Sequence, residues 1–270
     1  NGDLLSMASS PSFDTNLFVE GISTNDYAAL RDNEFRPLAD KSVQGIYPPG
    51  STFKMVIALA ALDEGLIKPN EKIRCDGYLE LADRKFHCWK RLGHEEITLT
   101  EALEQSCDVF FYDLALRVGI EKITRMAQRL GIGIKYNLPL SGVAKGLTPT
   151  KNWKLKTQGE SWVLGDTLNV GIGQGYVLAS PLQLAVMAAR IASGKVVEPR
   201  IIKRISEVQA KKSLRSANED RQYGQGAVPR YIVAGSSVTT NNQSQIMLLK
   251  IESDGCIWSD DNSTTISCGL

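Results

Sequence analysis

A turn fixed by two prolines and a glycine, Tyr47-Pro48-Pro49-Gly50, leads into Ser51-Thr52-Phe53-Lys54 and then the apolar run Met55-Val56-Ile57-Ala58-Leu59-Ala60-Ala61-Leu62. Gly65 and Pro69 follow as stop signals. The pattern predicts a helix from about Ser51 to Glu64, apolar on nearly every face and therefore buried inside the fold. A helix of that kind needs a shell on all sides, which constrains the chain more than any other stretch. Positions i and i+3 share a helix face, so the Ser51 hydroxyl and the Lys54 amine can meet in the first turn. A buried amine loses hydration and can then act as a base on a neighbouring hydroxyl. The helix N-terminus favours negative charge developing at Ser51. The same spacing also suits a plain helix start, with Ser51 as cap and Lys54 reaching water; Ser-x-x-Lys alone does not separate the two.

The chain has 270 residues, enough for one large domain or two small ones, and its 43% hydrophobic content supports a sizeable core. No apolar run reaches the length of a membrane-spanning helix. The opening Asn1-Gly2-Asp3-Leu4-Leu5 has neither the basic nor the hydrophobic region of a signal peptide; it starts mid-strand in character, so the chain reads as an excised piece of something longer. The net charge of +1, with acids and bases interspersed, gives no electrostatic case for nucleic acid. Five cysteines, Cys75, Cys88, Cys107, Cys256 and Cys268, are odd in number and irregular in spacing, a poor disulfide framework.

Leu4 to Ser9 alternates like a strand and breaks at Pro11. Ile73 to Leu99 is aromatic, basic and cysteine-bearing, and predicts a loop-rich insertion with little regular structure. Thr98 to Ala115 reads as one helix capped by Thr98 or Thr100, and Ile120 to Gly131 as an amphipathic helix. Pro139 to Trp162 reads as a connector. Lys156-Thr157-Gln158-Gly159 within it receives no catalytic role. Asp166 to Gly175 is a glycine-rich loop before Ser180-Pro181-Leu182-Gln183-Leu184-Ala185; no basic residue or Walker spacing supports a phosphate cradle there. Cys75, Cys88, His94 and Cys107, spaced C-x12-C-x5-H-x12-C, have the donor types of a closed tetrahedral zinc site. Without a tight C-x2-C knuckle the alternative of buried free cysteines stays open, and His87 and Asp76 are further candidate ligands.

Ser10-Pro11-Ser12-Phe13-Asp14-Thr15-Asn16 followed by Pro48-Pro49-Gly50-Ser51-Thr52-Phe53-Lys54 resembles the opening of the transpeptidase domain of class B penicillin-binding proteins. That family uses an S-x-x-K nucleophile, a second S-x-N-type triad and a K-T-G strand. Ser106-Cys107-Asp108 falls where the second triad belongs, with Asp108 in place of the usual Asn, a variant that fits the penicillin-binding protein 2 subgroup of the rod-shape elongation machinery. The Gly173-Gln174-Gly175 and Pro181-Leu182-Gln183-Leu184-Ala185 segments are similar to family scaffold near the cleft.

The resemblance covers residues 1–203 and implies an α+β fold of the serine transpeptidase and β-lactamase type, an antiparallel sheet flanked by helices. Ser51 would be the nucleophile, Lys54 the base, Ser106 a proton relay, and Asp108 the group orienting Lys54. Members of the subgroup bind zinc beside the active site, which favours Cys75, Cys88, His94 and Cys107 as a structural site. Peptidoglycan stem peptides, β-lactams and elongation-complex membrane proteins are the implied partners. The implied location is the periplasmic face of the inner membrane, although no anchor is present in these residues. Residues 204–270 depart from the pattern: no Lys-Thr-Gly occurs anywhere. In the family that strand's lysine helps hold the substrate carboxylate and its backbone supplies an oxyanion donor, whose loss alone costs about 100- to 1,000-fold in rate. The expectation is that the sheet is incomplete and that 204–270 is a divergent tail, foreign, frame-shifted or poorly ordered, with a natural divergent end as the alternative. A hydrolytic relative (D,D-carboxypeptidase or β-lactamase) and an inactive fragment with a scaffold role are the alternatives.

Overall fold

The computed structural model describes residues 2–19 and 21–202, and beyond them the backbone of four short strands within 236–259. The first helix, α1, covers Thr24–Arg31 on the exposed N-terminal side, capped by the Ser23 side chain. A 3₁₀ turn over Gly50–Phe53 then runs straight into α2, Lys54–Asp63. Every residue of α2 from Lys54 to Ala61 is buried, as an apolar run with no polar face requires. The predicted helix start is therefore a tighter turn, and Ser51 sits on the turn rather than on the helix.

Residues 73–97 are more regular than predicted. β1 (Ile73–Cys75) pairs antiparallel with β4 (Glu95–Ile97), and β2 (Tyr78–Leu81) with β3 (Arg84–His87). The nested pairs carry Cys75, Cys88 and His94 back toward Cys107, which leads into the next long helix. The single helix expected over 98–115 is two helices. α3 (Leu99–Glu104) opens with a capping box in which Thr98 and Glu101 exchange hydrogen bonds. α4 (Asp108–Val118) follows a break at which Ser106 takes a positive φ of 53°. Left-handed backbone at a non-glycine residue is rare and stops a right-handed helix.

α5 (Ile120–Arg129) follows the predicted amphipathic stretch, with Ile120, Ile123, Met126 and Ala127 inward. Within the expected connector, Lys151–Gln158 forms α6, which ends in Gly159 at a φ of 72°. Helix α7 (Leu164–Gly171) precedes the glycine loop, and α8 (Pro181–Ser193) starts at a Ser180–Gln183 capping box. α2 is enclosed by α4 and α5, and α4 by α7. Phe53, Ile57, Leu59, Phe110, Phe111, Leu114, Ile123 and Leu168 lie in the resulting core.

The N-terminal segment, expected as a strand, makes a bridge between Asp3 and Arg200. Two antiparallel hairpins close the described chain: β5 (Ser236–Thr240) with β6 (Gln243–Met247), and β7 (Leu249–Ile251) with β8 (Ile257–Ser259). β5 passes beside the Gly50–Phe53 turn and α3. Apart from these strands, the expected divergent tail at 204–270 lies outside the described residues. Among the described residues no helix is long and apolar enough to cross a membrane.

Candidate active site

Ser51 is fixed from behind by the glycine-rich segment. The Gly50 amide donates to the Gly173 carbonyl at 2.9 Å, and Tyr47 and Ala179 exchange backbone hydrogen bonds at 2.9 Å. Gly173 has a φ of 71°, and a Cβ there would run into the Gly50 carbonyl oxygen. Only glycine allows that approach of two backbones. Trp153 and Tyr176 pack edge to face at 5.3 Å, and Lys154 binds Asp166 at 2.8 Å, bracing the far side of the same loop.

Four polar side chains meet on the open side. Lys54 Nζ donates to Ser106 Oγ at 3.0 Å, to the Ser106 carbonyl at 2.8 Å and to Asp108 Oδ1 at 2.7 Å. An ammonium has three protons, and these three acceptors use them all. Ser106 Oγ in turn donates to Ser51 Oγ at 2.9 Å. Ser51 and Lys54, expected to meet directly across one helical turn, are thus joined through Ser106. The Lys54 side chain is 2% exposed and that of Asp108 16%, so the ion pair is largely shielded from water. A charge buried so deeply is tolerated only with a partner. The positive φ of Ser106 turns its hydroxyl and its carbonyl onto the same ammonium.

Sequence reasoning did not reach the second face of Asp108. The Trp89 backbone N–H donates to Asp108 Oδ2 at 3.0 Å, and the Trp89 indole Nε1–H donates to the Gln105 carbonyl at 3.0 Å. The only signal available in the sequence was adjacency: Trp89 follows Cys88, and Asp108 follows Cys107.

Cys75, Cys88, His94 and Cys107 are all buried, and their donor atoms lie within 4.8 Å of one another. His94 Nδ1 stands 3.6 Å from both Cys75 Sγ and Cys88 Sγ. Zn–S bonds of about 2.3 Å and Zn–N bonds of about 2.0–2.1 Å at tetrahedral angles separate such donors by about 3.5 Å, so the four residues fit one ion in both type and spacing. A hydrogen bond from Cys107 pulls the Cys88 thiol well below its usual range, with backbone N–H groups of Lys90, Asp108 and Val109 adding to the effect; the same bond and burial push Cys107 up. The first turn of α4 therefore faces sulfur as a helix N-terminus faces an anion. The two other candidate ligands are elsewhere. Asp76 is exposed and bonds Arg74, and His87 is exposed on β3.

Residues 1–234 match the family described as the penicillin binding protein transpeptidase domain. The peptidoglycan D,D-transpeptidase MrdA of Acinetobacter baumannii is 40% identical over 205 residues, 75% of this chain and 30% of that protein. The chain thus spans about a third of the length of that relative. Among solved structures, penicillin-binding protein 2 from Pseudomonas aeruginosa in complex with WCK 5153 is 40% identical at a TM-score of 0.73, covering 86% of this chain and 51% of that one. Penicillin-binding protein 2 from Helicobacter pylori, in complex with MreC, is 36% identical at a TM-score of 0.72, covering 78% and 41%.

Proposed function

The chain belongs to the penicillin-binding protein transpeptidase family, and from that premise we propose that it is the acyl-transferring part of a peptidoglycan D,D-transpeptidase of cell-wall elongation. The observation that carries the proposal is the unbroken hydrogen-bonded line from Ser51 through Ser106 to Lys54, anchored on Asp108. Hydroxyl protons rotate freely. With Lys54 as the neutral amine, Ser51 donates to Ser106 and Ser106 donates to Lys54, so the proton leaves Ser51 as its Oγ attacks. The carbonyl attacked is that of the penultimate D-Ala of a stem peptide. The C–N bond to the terminal D-Ala breaks, and the relay returns the proton to the departing amine. An amine of a neighbouring strand then displaces Ser51 and forms the cross-link. A β-lactam opened by Ser51 keeps its amine tethered and stays on the enzyme.

Zinc held by Cys75, Cys88, His94 and Cys107 would be structural, since four protein ligands leave no position for water. It would tie the 75–94 segment to the start of α4. The likeness to a penicillin-binding protein 2 solved with MreC supports an elongation-complex partner of that kind. The family's role in wall synthesis supports a periplasmic location at the inner membrane.

One observation favours an inactive fragment instead. β5, the described strand beside the Ser51 turn, reads Ser236-Ser237-Val238-Thr239-Thr240 and offers backbone but no cation. A single experiment separates the readings. The purified chain and Ser51→Ala are incubated with a fluorescent penicillin and weighed intact. We expect a stoichiometric adduct on the parent and none on the variant. A folded parent that takes up no label sinks the enzymatic reading and leaves the fragment.

A further inference from the structure

We propose that Trp89 is a positioning residue for this site, a clip that holds the 75–94 segment against the Ser106 turn and sets the Asp108 carboxylate for Lys54. The inference rests on the reading of Ser51 as an acyl acceptor.

Ser106 has a φ of 53°, a conformation that is unfavourable for a non-glycine residue and persists only where its surroundings fix it. Two internal bonds hold the break, from the Ser106 amide to the Leu103 carbonyl at 3.2 Å and from the Cys107 amide to the Ala102 carbonyl at 2.9 Å. They leave the Gln105 carbonyl facing out, and the Trp89 indole takes it at 3.0 Å. The peptide plane leading into Ser106 is thereby fixed from a different part of the chain.

The second bond acts on the carboxylate. Lys54 occupies Asp108 Oδ1 at 2.7 Å and the Trp89 amide occupies Oδ2 at 3.0 Å. A carboxylate held on both oxygens has one orientation, and it presents Oδ1 to the amine. The third contact is with the ring, which packs edge-on to His94 at 5.4 Å. Trp89 is nevertheless 63% exposed. A large indole left that open contributes little to the core, and its directed hydrogen bond to the Gln105 carbonyl accounts for its place better than burial does.

The test compares the full-length parent, Trp89→Phe and, as a loop control, Leu92→Ala, whose side chain points to solvent in the same segment. Trp89→Phe keeps an aromatic ring and the backbone N–H but removes the bond to Gln105. Two quantities are read: the acylation rate constant and the penicillin dissociation constant, separately, and amide hydrogen exchange over residues 104–108. We expect acylation by Trp89→Phe to slow about threefold to tenfold, the range for one hydrogen bond, at an unchanged dissociation constant. Exchange at Ser106 and Cys107 should rise at least threefold, and Leu92→Ala should match the parent in both. Unchanged acylation, or weaker binding at an unchanged rate constant, overturns the positioning role. If the parent itself takes up no penicillin, the transpeptidase reading has failed. Exchange alone then decides the clip, and parent-like exchange in Trp89→Phe overturns it.

Discussion

Lys54 and Asp108 show how much of the site is decided by one charge pair. Removing the carboxylate leaves an ammonium 2% exposed with only neutral acceptors, and breaking such a pair costs about 3–5 kcal/mol. Asp108→Ala should therefore lose about that much stability in urea denaturation, and Asp108→Asn, which keeps an acceptor for Lys54, clearly less. Equal losses in the two variants would mean that shape, not charge, is what α4 needs there. Ser51 and Lys54 were legible in the sequence because local spacing at a helix start brings them close. Ser106 and Asp108 became legible only through their order after Ser51, since no local rule links positions 52 and 54 residues away. The choice of His94 over His87 was made by the path of the chain. His87 ends β3 with its side chain outward, while His94 follows Gly93 back toward Cys75.

At the scale of elements, the sequence revealed those with strong periodicity and hid the rest. α5 and the buried α2 carry apolar patterns that survive any context. The break between α3 and α4 has no glycine or proline to announce it, and the apolar rhythm from Leu99 to Ala115 runs on across it. β1 to β4 are three or four residues each, too short for alternation to register. α6 was missed because Lys154 is its one buried residue, so it has no apolar face to read. The loop after α7 makes a prediction of its own. Gly173→Ala adds a Cβ aimed at the Gly50 backbone in a left-handed conformation. Strain and overpacking together should cost about 2–5 kcal/mol. Because the displaced group is the turn before Ser51, penicillin uptake should slow in whatever fraction remains folded. A variant with parental stability would show that the two backbones can part freely.

For the molecule as a whole, the nested strand pairs are small, and they meet the helical core through a few apolar side chains such as Phe86 and Ile97 and through the four-donor cluster at the start of α4. If zinc occupies it, the purified chain should hold one equivalent by elemental analysis. At free zinc about 100-fold over its Kd, binding adds about 2.7 kcal/mol to stability. Chelation should then lower Tm by roughly 5–10 °C and raise amide exchange over 73–97. A chain with no bound metal, and a Tm indifferent to chelator, would return the thiols to ordinary packing. Cys107 sits between Ser106 and Asp108, and in the extended backbone of a helix cap its side chain faces away from theirs. Three consecutive codons thus answer to two separate demands, the cleft on one side and the cluster on the other. A lineage under drug pressure can redraw the cleft at many positions, but at this tripeptide each change must satisfy both faces at once.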